Sequence, residues 1–371
     1  MRSSIQLGRI FGIPIGINYS WIVIFLLVTT SLSGYYFPSV HPEWSPALLW
    51  AVGAATSVLF FASVLVHELA HSAVSIAQGI PVQSITLFIF GGVASIAAEP
   101  KRARDEFFMA LAGPLASLGL ALFFWLVTLL TARVLVPLSS LSSWLAWINL
   151  SLAVFNLIPG FPLDGGRVFR AIVWWITGNL TSATRIATIL GRVVAYMFVI
   201  LGVLAVFRGD IDGLWLAFIG WFLDSAAIQS LRQVELREAL RGVKAGDIMT
   251  QECAYVPEQL TVDLFVHNYL LPQSRRCFLL TDRGRLTGMV TMHRIKEVPR
   301  DKWEETHVGA IMTPFDSVKH VQVTDDALSV LELMDHEDVN QVPVMDGENL
   351  VGLISRDNVV HFIHTRTELG A

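Results

Sequence analysis

Residues 57–79 read SVLFFASVLVHELAHSAVSIAQG, an apolar run interrupted by His67, Glu68 and His71. Extended back to residue 46, the run exceeds the roughly 20 residues a helix needs to cross a bilayer. An ionisable side chain at that depth costs about 2.5–3.5 kcal/mol on insertion scales, so three of them require a bound ion, a partner or a water-filled cavity. On a helix, His67 and His71 are four positions apart and share one face, close enough to reach one ion, with Glu68 beside them. HExxH is the spacing of a zinc site. A chance match, or a polar cluster facing another helix, would produce the same letters.

The rest of the chain makes the membrane setting firm. Of 371 residues, 53% are hydrophobic and only 15% charged, against about a quarter charged in ordinary soluble domains. The mean hydropathy is +0.57. Apolar runs at 18–37, 46–78, 106–132, 143–158, 184–207 and 212–231 read as six spans, the fourth of them short. Beyond residue 231 the composition becomes that of a soluble protein, so the chain has two parts. Up to Val243, 14 Lys/Arg face 11 Asp/Glu, and from Lys244 onward 12 face 20, giving +3 and −8. An acidic tail argues against a nucleic-acid partner. Cys253 and Cys277 have no ligand-like spacing and read as two buried thiols in a reducing compartment.

The N-terminal stretch lacks a short apolar core followed by a small-residue cleavage site, so it reads as an amphipathic lead-in to a retained span. Basic residues mark alternate loops: Arg2 and Arg9; Lys101, Arg102 and Arg104; Arg167 and Arg170; Arg232, Arg237 and Arg241. The positive-inside rule then puts the N-terminus and the tail on the cytoplasmic side of the cell's plasma membrane. His67 lies 21 residues into its span, about 30 Å from the outer end and close to the cytoplasmic leaflet. Arg192 in the fifth span and Asp224 in the sixth fall at matching depth and are expected to form an interhelical ion pair.

Catalytic zinc takes three protein ligands and leaves a fourth position open, so a third donor must come from elsewhere. Asp164 is the candidate. It follows the fourth span within NLIPGFPLDGG, residues 156–166, where Pro159, Pro162 and three glycines break the helix on the side where His71 ends. A plain helix cap is the other use for that carboxylate. Between the second and third spans, IPVQSITLFIFGGVASIAAEP carries β-prone residues around Gly91 and Gly92, the pattern of a hairpin at the membrane.

HELAH in an early span followed by NLIPGFPLDGG in a later one resembles the site-2 protease family of intramembrane zinc metalloproteases, over residues 1–240. The resemblance implies one zinc ion held by His67, His71 and Asp164, with Glu68 as the catalytic acid/base and Asn156 beside the reacting carbonyl. It implies a membrane-embedded β-loop around Gly91 and Gly92 that aligns substrate, and a small-residue packing segment in LAGPLASL, residues 111–118. The activity implied is hydrolysis of a peptide bond within or near a transmembrane segment of a membrane-anchored regulator, in contact with lipid. An exposed β-edge could take the unwound substrate strand.

The tail repeats itself. GDIMT is echoed by GAIMT at an offset of 63 residues, and GMVTMHR by GLISRDN at 64, with an extended lead, a helix, a hairpin and a final helix in each unit. These segments resemble a tandem pair of CBS domains, at 244–300 and 308–366. That resemblance implies an adenine nucleotide between the units and a homodimer through them. Family members that grip ribose place Asp three residues after a Ser or Thr; here Thr291 is followed by Arg294, and Ser355 by Asn358. Arg294 cannot accept a hydroxyl hydrogen, whereas Asn358 can. The fold expected is therefore a multi-span α-helical membrane domain of about six helices with a membrane-associated β-hairpin, then an α/β CBS pair. Two other functions use the same parts: a CBS-regulated transporter or channel, which leaves Glu68 and Asp164 without a role, and a zinc hydrolase of a lipid or another small molecule.

Overall fold

The computed structural model describes residues 4–89, 91–96, 100–251, 254–273, 277–347 and 349–369. They divide into two compact units, Met1–Val234 and Glu235–Ala371. Cys253 lies outside the described residues.

The first unit opens with two strands, β1 (Ser4–Ile10) and β2 (Ile13–Asn18), joined by a tight turn in which Phe11 and Gly12 take positive φ. The sequence predicts an amphipathic lead-in there; instead the alternation of IPIGIN buries Ile13 and Ile15 on one face, as a strand does. Asn18 then caps the first span, its side chain accepting from the Ser20 amide at 3.0 Å. That span runs through α1 (Tyr19–Ser31), a π-turn at Leu32–Tyr36 and the short α2 (Phe37–Val40). The second is α3 (Pro46–Ala77), started by Ser45 as cap and Pro46 in its first turn.

β3 (Val82–Phe88) and β4 (Gly91–Ile96) form the expected hairpin, but it is not alone. β2 pairs with β3 in parallel, giving one sheet in the order β1-β2-β3-β4 with β4 at an edge. Ile13, Ile15 and Ile85 from this sheet pack on Leu65 and Leu69 of α3, which sets the sheet beside the helix that carries the histidines.

α4 (Ala103–Thr131) and α5 (Val136–Asn156) follow. The fourth span is thus not short. Pro137 sits in the first turn of α5, and the serines at 139, 140, 142 and 143, which suggest a loop, are taken into the helix. The broken segment ends at α6 (Asp164–Thr177), too short to cross, closed by Gly178 at φ +68°. With α7 (Leu180–Phe207) and α8 (Asp212–Ala239), the described residues hold six helices long and apolar enough to span a membrane. Leu130, Ile176 and Phe207 are each at least 80% exposed, as lipid-facing side chains are. Arg192 meets Asp224 at 2.8 Å across α7 and α8 and also donates to the Tyr196 hydroxyl.

The second unit holds two sheets and short helices. One sheet is β5 (Tyr255–Pro257), β6 (Cys277–Asp282), β7 (Arg285–Thr291) and β8 (Thr313–Pro314); the other joins β9 (Val321–Gln322), β10 (Gln341–Asp346) and β11 (Asn349–Ser355). The helices are α9 (Ala245–Ile248), α10 (Val262–Phe265), α11 (Leu271–Gln273), α12 (Met292–Lys296), α13 (Val308–Ile311), α14 (Ala327–His336) and α15 (Arg356–Leu369). The sequence repeats, bounded at 244–300 and 308–366, are not the packing units. Val243, Ala245 and Ile248 pack with Val330, Met334 and Ile354, while Val308 and Ile311 pack with Phe265, Phe278 and Val290. Each repeat lends its opening residues to the other's core, because the backbone after each opening helix adds to the other repeat's hairpin: Thr250 exchanges hydrogen bonds with Leu353, and Thr313 pairs with Met289.

Candidate metal centre

His67 and His71 lie on adjacent turns of one face of α3, both 5% exposed. Their Nε2 atoms are 3.2 Å apart, and each is 3.1 Å from Oδ2 of Asp164, which arrives from the first turn of α6. Asp164 is therefore not a helix cap: Leu163 holds the cap position, without a side-chain bond, and the carboxylate turns to the histidines. The loop that delivers it folds tightly upon itself. A Cβ on Gly165 would stand 2.4 Å from the Leu157 carbonyl, and one on Gly166 2.3 Å from Gly160. The two glycines of LDGG are thus spatial requirements of the turn.

The outward ring nitrogens are engaged as well. Nδ1 of His71 bonds the Met109 carbonyl at 2.7 Å, and Nδ1 of His67 bonds Oγ of Ser117 at 2.9 Å. A carbonyl only accepts, so the neutral His71 ring carries its proton on Nδ1 and points a bare lone pair inward. Such an outer bond is the usual way a metal-ligating imidazole is oriented. A lone pair facing a carboxylate and a second imidazole is repulsive unless a metal cation, or a proton carried by the second imidazole, lies between them. Four tetrahedral ligands at the 2.0–2.1 Å of zinc bonds would stand about 3.3–3.4 Å apart, close to the separations found here. These three donors form the one potential metal cluster among the described residues. They fit zinc.

Met109, Gly113 and Ser117 recur every four residues and make one stripe of α4 behind the histidines. Between the two orienting groups, a Cβ on Gly113 would lie 2.2 Å from Nε2 of His71 and 2.6 Å from Nε2 of His67. In sequence this segment resembles small-residue packing; its contacts with the imidazoles have no letter pattern of their own, because only the α3–α4 register creates them.

Glu68, next to the triad in sequence, faces the edge strand. A Cβ on Gly92 would be 2.5 Å from Cγ of Glu68, so the glycine lets β4 pass over this side chain. Gly91 and Gly92 pair with Phe88 and Leu87 of β3. Asn156 ends α5, and its amide donates to the Leu152 carbonyl of its own helix at 3.0 Å. That bond, rather than one to the triad, is what the structure gives it. Arg170, read as a loop charge, is 4% exposed and ion-paired with Glu106.

The tail residues behave differently. Ser355 precedes α15 and Asn358 lies in its first turn; the Ser355 hydroxyl and amide donate to the Asn358 side chain, and the Asn358 amide donates back to the Ser355 oxygen. That is a reciprocal cap. Thr291 precedes α12 without a side-chain cap bond.

Comparison with known proteins agrees with both units. The model of peptidase family M50 matches residues 55–138 and 132–201, and that of the CBS domain matches 308–365. The protein named Rip3 of Mycobacterium tuberculosis is 35% identical over 98% of this chain and 93% of its own length. The protein sll0528 of Synechocystis is 35% identical over 98% and 97%. Both are named among the zinc metalloproteases. The solved site-2 protease of Methanocaldococcus jannaschii is 31% identical, covers 62% of this chain and 95% of its own, and superposes with a TM-score of 0.42. With its histidine pair in a membrane helix and full-length relatives of this kind, the chain belongs to peptidase family M50 and is a zinc metalloprotease.

Proposed function

We propose that this protein cleaves a peptide bond within or near a transmembrane segment of a membrane-anchored regulatory protein, using one zinc ion held by His67, His71 and Asp164. The observation that carries the reading is the convergence of three donor atoms, 3.1–3.2 Å apart, inside a bundle of membrane-length helices. Zinc supplies Lewis-acid polarisation of a carbonyl and brings the pKa of a water to about 7. Glu68 accepts the proton of the attacking water and returns it to the departing amine. Asn156 releases the Leu152 carbonyl and donates to the developing oxyanion.

A transmembrane helix shields its peptide bonds in its own hydrogen bonds, so the substrate must unwind before it reacts. β4 offers the free edge to which the unwound strand adds, and Gly92 brings that edge over Glu68. The N-terminus and tail lie in the cytoplasm of a cell whose plasma membrane holds the bundle, and water enters from that side. Residues 1–240 form the protease part, and the CBS repeats at 244–300 and 308–366 modulate it. They take an adenine nucleotide, with Ser355 and Asn358 opening toward ribose and Thr291 lining the other cleft, and they support a homodimer.

The test is cleavage of a helical membrane substrate by the full chain in proteoliposomes. Glu68→Gln is expected to lower the rate about 10²- to 10⁴-fold with zinc still bound. Undiminished cleavage by that variant would sink the mechanism, and turnover of a lipid or small molecule instead of any membrane segment would replace the substrate class.

A further inference from the structure

Glu106 is fully buried and takes no part in the chemistry described above, and its partner Arg170 is nearly so. We infer that this ion pair is the positioning pair of the metal centre: it fixes α6 to α4 in the one register that sets Asp164 against His67 and His71. The inference rests on the ligand assignment proposed above.

Glu106 lies one turn before Met109, whose carbonyl orients His71, on the same helix as Gly113 and Ser117. Arg170 lies six residues after Asp164, on the helix that begins with that ligand. Its Nε donates to Oε1 of Glu106 at 2.7 Å, and a terminal nitrogen donates to the same oxygen. Its other terminal nitrogen reaches Oγ1 of Thr184 on α7 at 3.5 Å, and its guanidinium lies over the Phe161 ring, 4.9 Å from the centroid. Phe161 belongs to the loop that delivers Asp164. One side chain thus ties together the helix behind the histidines, the helix and loop carrying the third ligand, and α7.

Apolar and glycine contacts hold α6 close, but they are not directional bonds between it and α4. A slip of one residue would move Asp164 by about 1.5 Å along the axis and about 100° around it, enough to take Oδ2 away from both imidazoles. A planar guanidinium on a buried carboxylate does not permit that slip. For packing alone, two apolar side chains would serve as well or better, since burying both charges is costly.

The experiment loads the full-length protein with cobalt in place of zinc and follows the visible ligand-field bands, metal affinity by chelator competition, and cleavage. The paired variant Glu106→Leu with Arg170→Met removes both buried charges and leaves only the partly exposed Arg167, 4.0 Å from Glu106, without that contact; helix content is expected to persist while metal affinity falls about 10- to 100-fold and the bands shift. Arg170→Lys keeps the charge but loses the fork; about a tenfold loss of affinity is expected, and this variant carries the test if the double variant does not accumulate. Wild-type bands and affinity in Arg170→Lys, or in the folded double variant, would overturn the inference. Asp164→Ala serves as the control for the assignment beneath it: full cobalt binding there would remove Asp164 as a ligand, a failure distinct from that of the positioning pair.

Discussion

His71 and Asp164 are 93 residues apart and meet at 3.1 Å in the membrane unit, whereas Ser355 and Asn358 are three residues apart and bond each other in the tail. Both sets are motif residues whose side chains could hold a ligand. In the tail, the polar groups are satisfied by their immediate neighbours at a helix start, which any short capping pair achieves. In the membrane unit the histidines face each other but find their other partners far along the chain: they turn their outer nitrogens to α4 and their inner ones to Asp164 at the start of α6. Motif letters satisfied locally can be structural, while those that converge across the fold at the expense of desolvation need a ligand to explain them.

Four changes would break or sharpen that contrast. The largest effect is expected from Gly113→Ala, whose new methyl would enter the space between the two Nε2 atoms. Zinc affinity should fall by more than the about 10- to 100-fold typical of losing an orienting partner, as read by metal content after chelator challenge. One zinc per chain at wild-type affinity would mean that the stripe on α4 does not bound the site. Ser117→Ala should cost about tenfold in zinc affinity or cleavage, because His67 loses the group that fixes its ring. An unchanged metal affinity with unchanged turnover would make the Ser117 bond incidental.

The smallest effect is expected in the tail. Ser355→Ala should lower its stability by about 1 kcal/mol, as loss of a helix cap does, and leave zinc content untouched. Calorimetric titration of the full chain with ATP, ADP and AMP then separates the two uses of this pair. Nucleotide binding that weakens in Asn358→Ala supports the ribose role; binding that ignores both substitutions leaves the pair as a cap.

Much of the candidate metal site was legible, because ionisable residues in an apolar run have few uses. Depth singles out His67, Glu68 and His71, and the Pro/Gly break singles out Asp164; the fold brings His67, His71 and Asp164 together as a group that could hold a metal ion. Arg192 and Asp224 were matched by depth alone and do pair. What escaped were groups whose sequence signal belongs to something commoner. Met109 acts through its carbonyl, which no letter encodes; Gly113 and Ser117 read as small packing residues; Arg170 read as a positive loop charge. Among the strands, IPIGIN alternates only weakly, and its place in the sheet depends on the parallel neighbour β3 about 70 residues later.

From sequence alone came the two parts, the six spans, the histidine pair with its acid, the candidate for a third donor and the repeat in the tail. These follow from local composition, period and depth, since a helix in lipid must be long and apolar and its exceptions must be explained. Only the tertiary structure decided which helix stands behind the histidines, that β4 is the free edge over Glu68, that Glu106 and Arg170 join α4 to α6, and that the tail's repeats exchange their opening residues. Those are matters of register between elements far apart in the chain, fixed by close packing and by pairing of buried polar groups, and neither is written in any single segment.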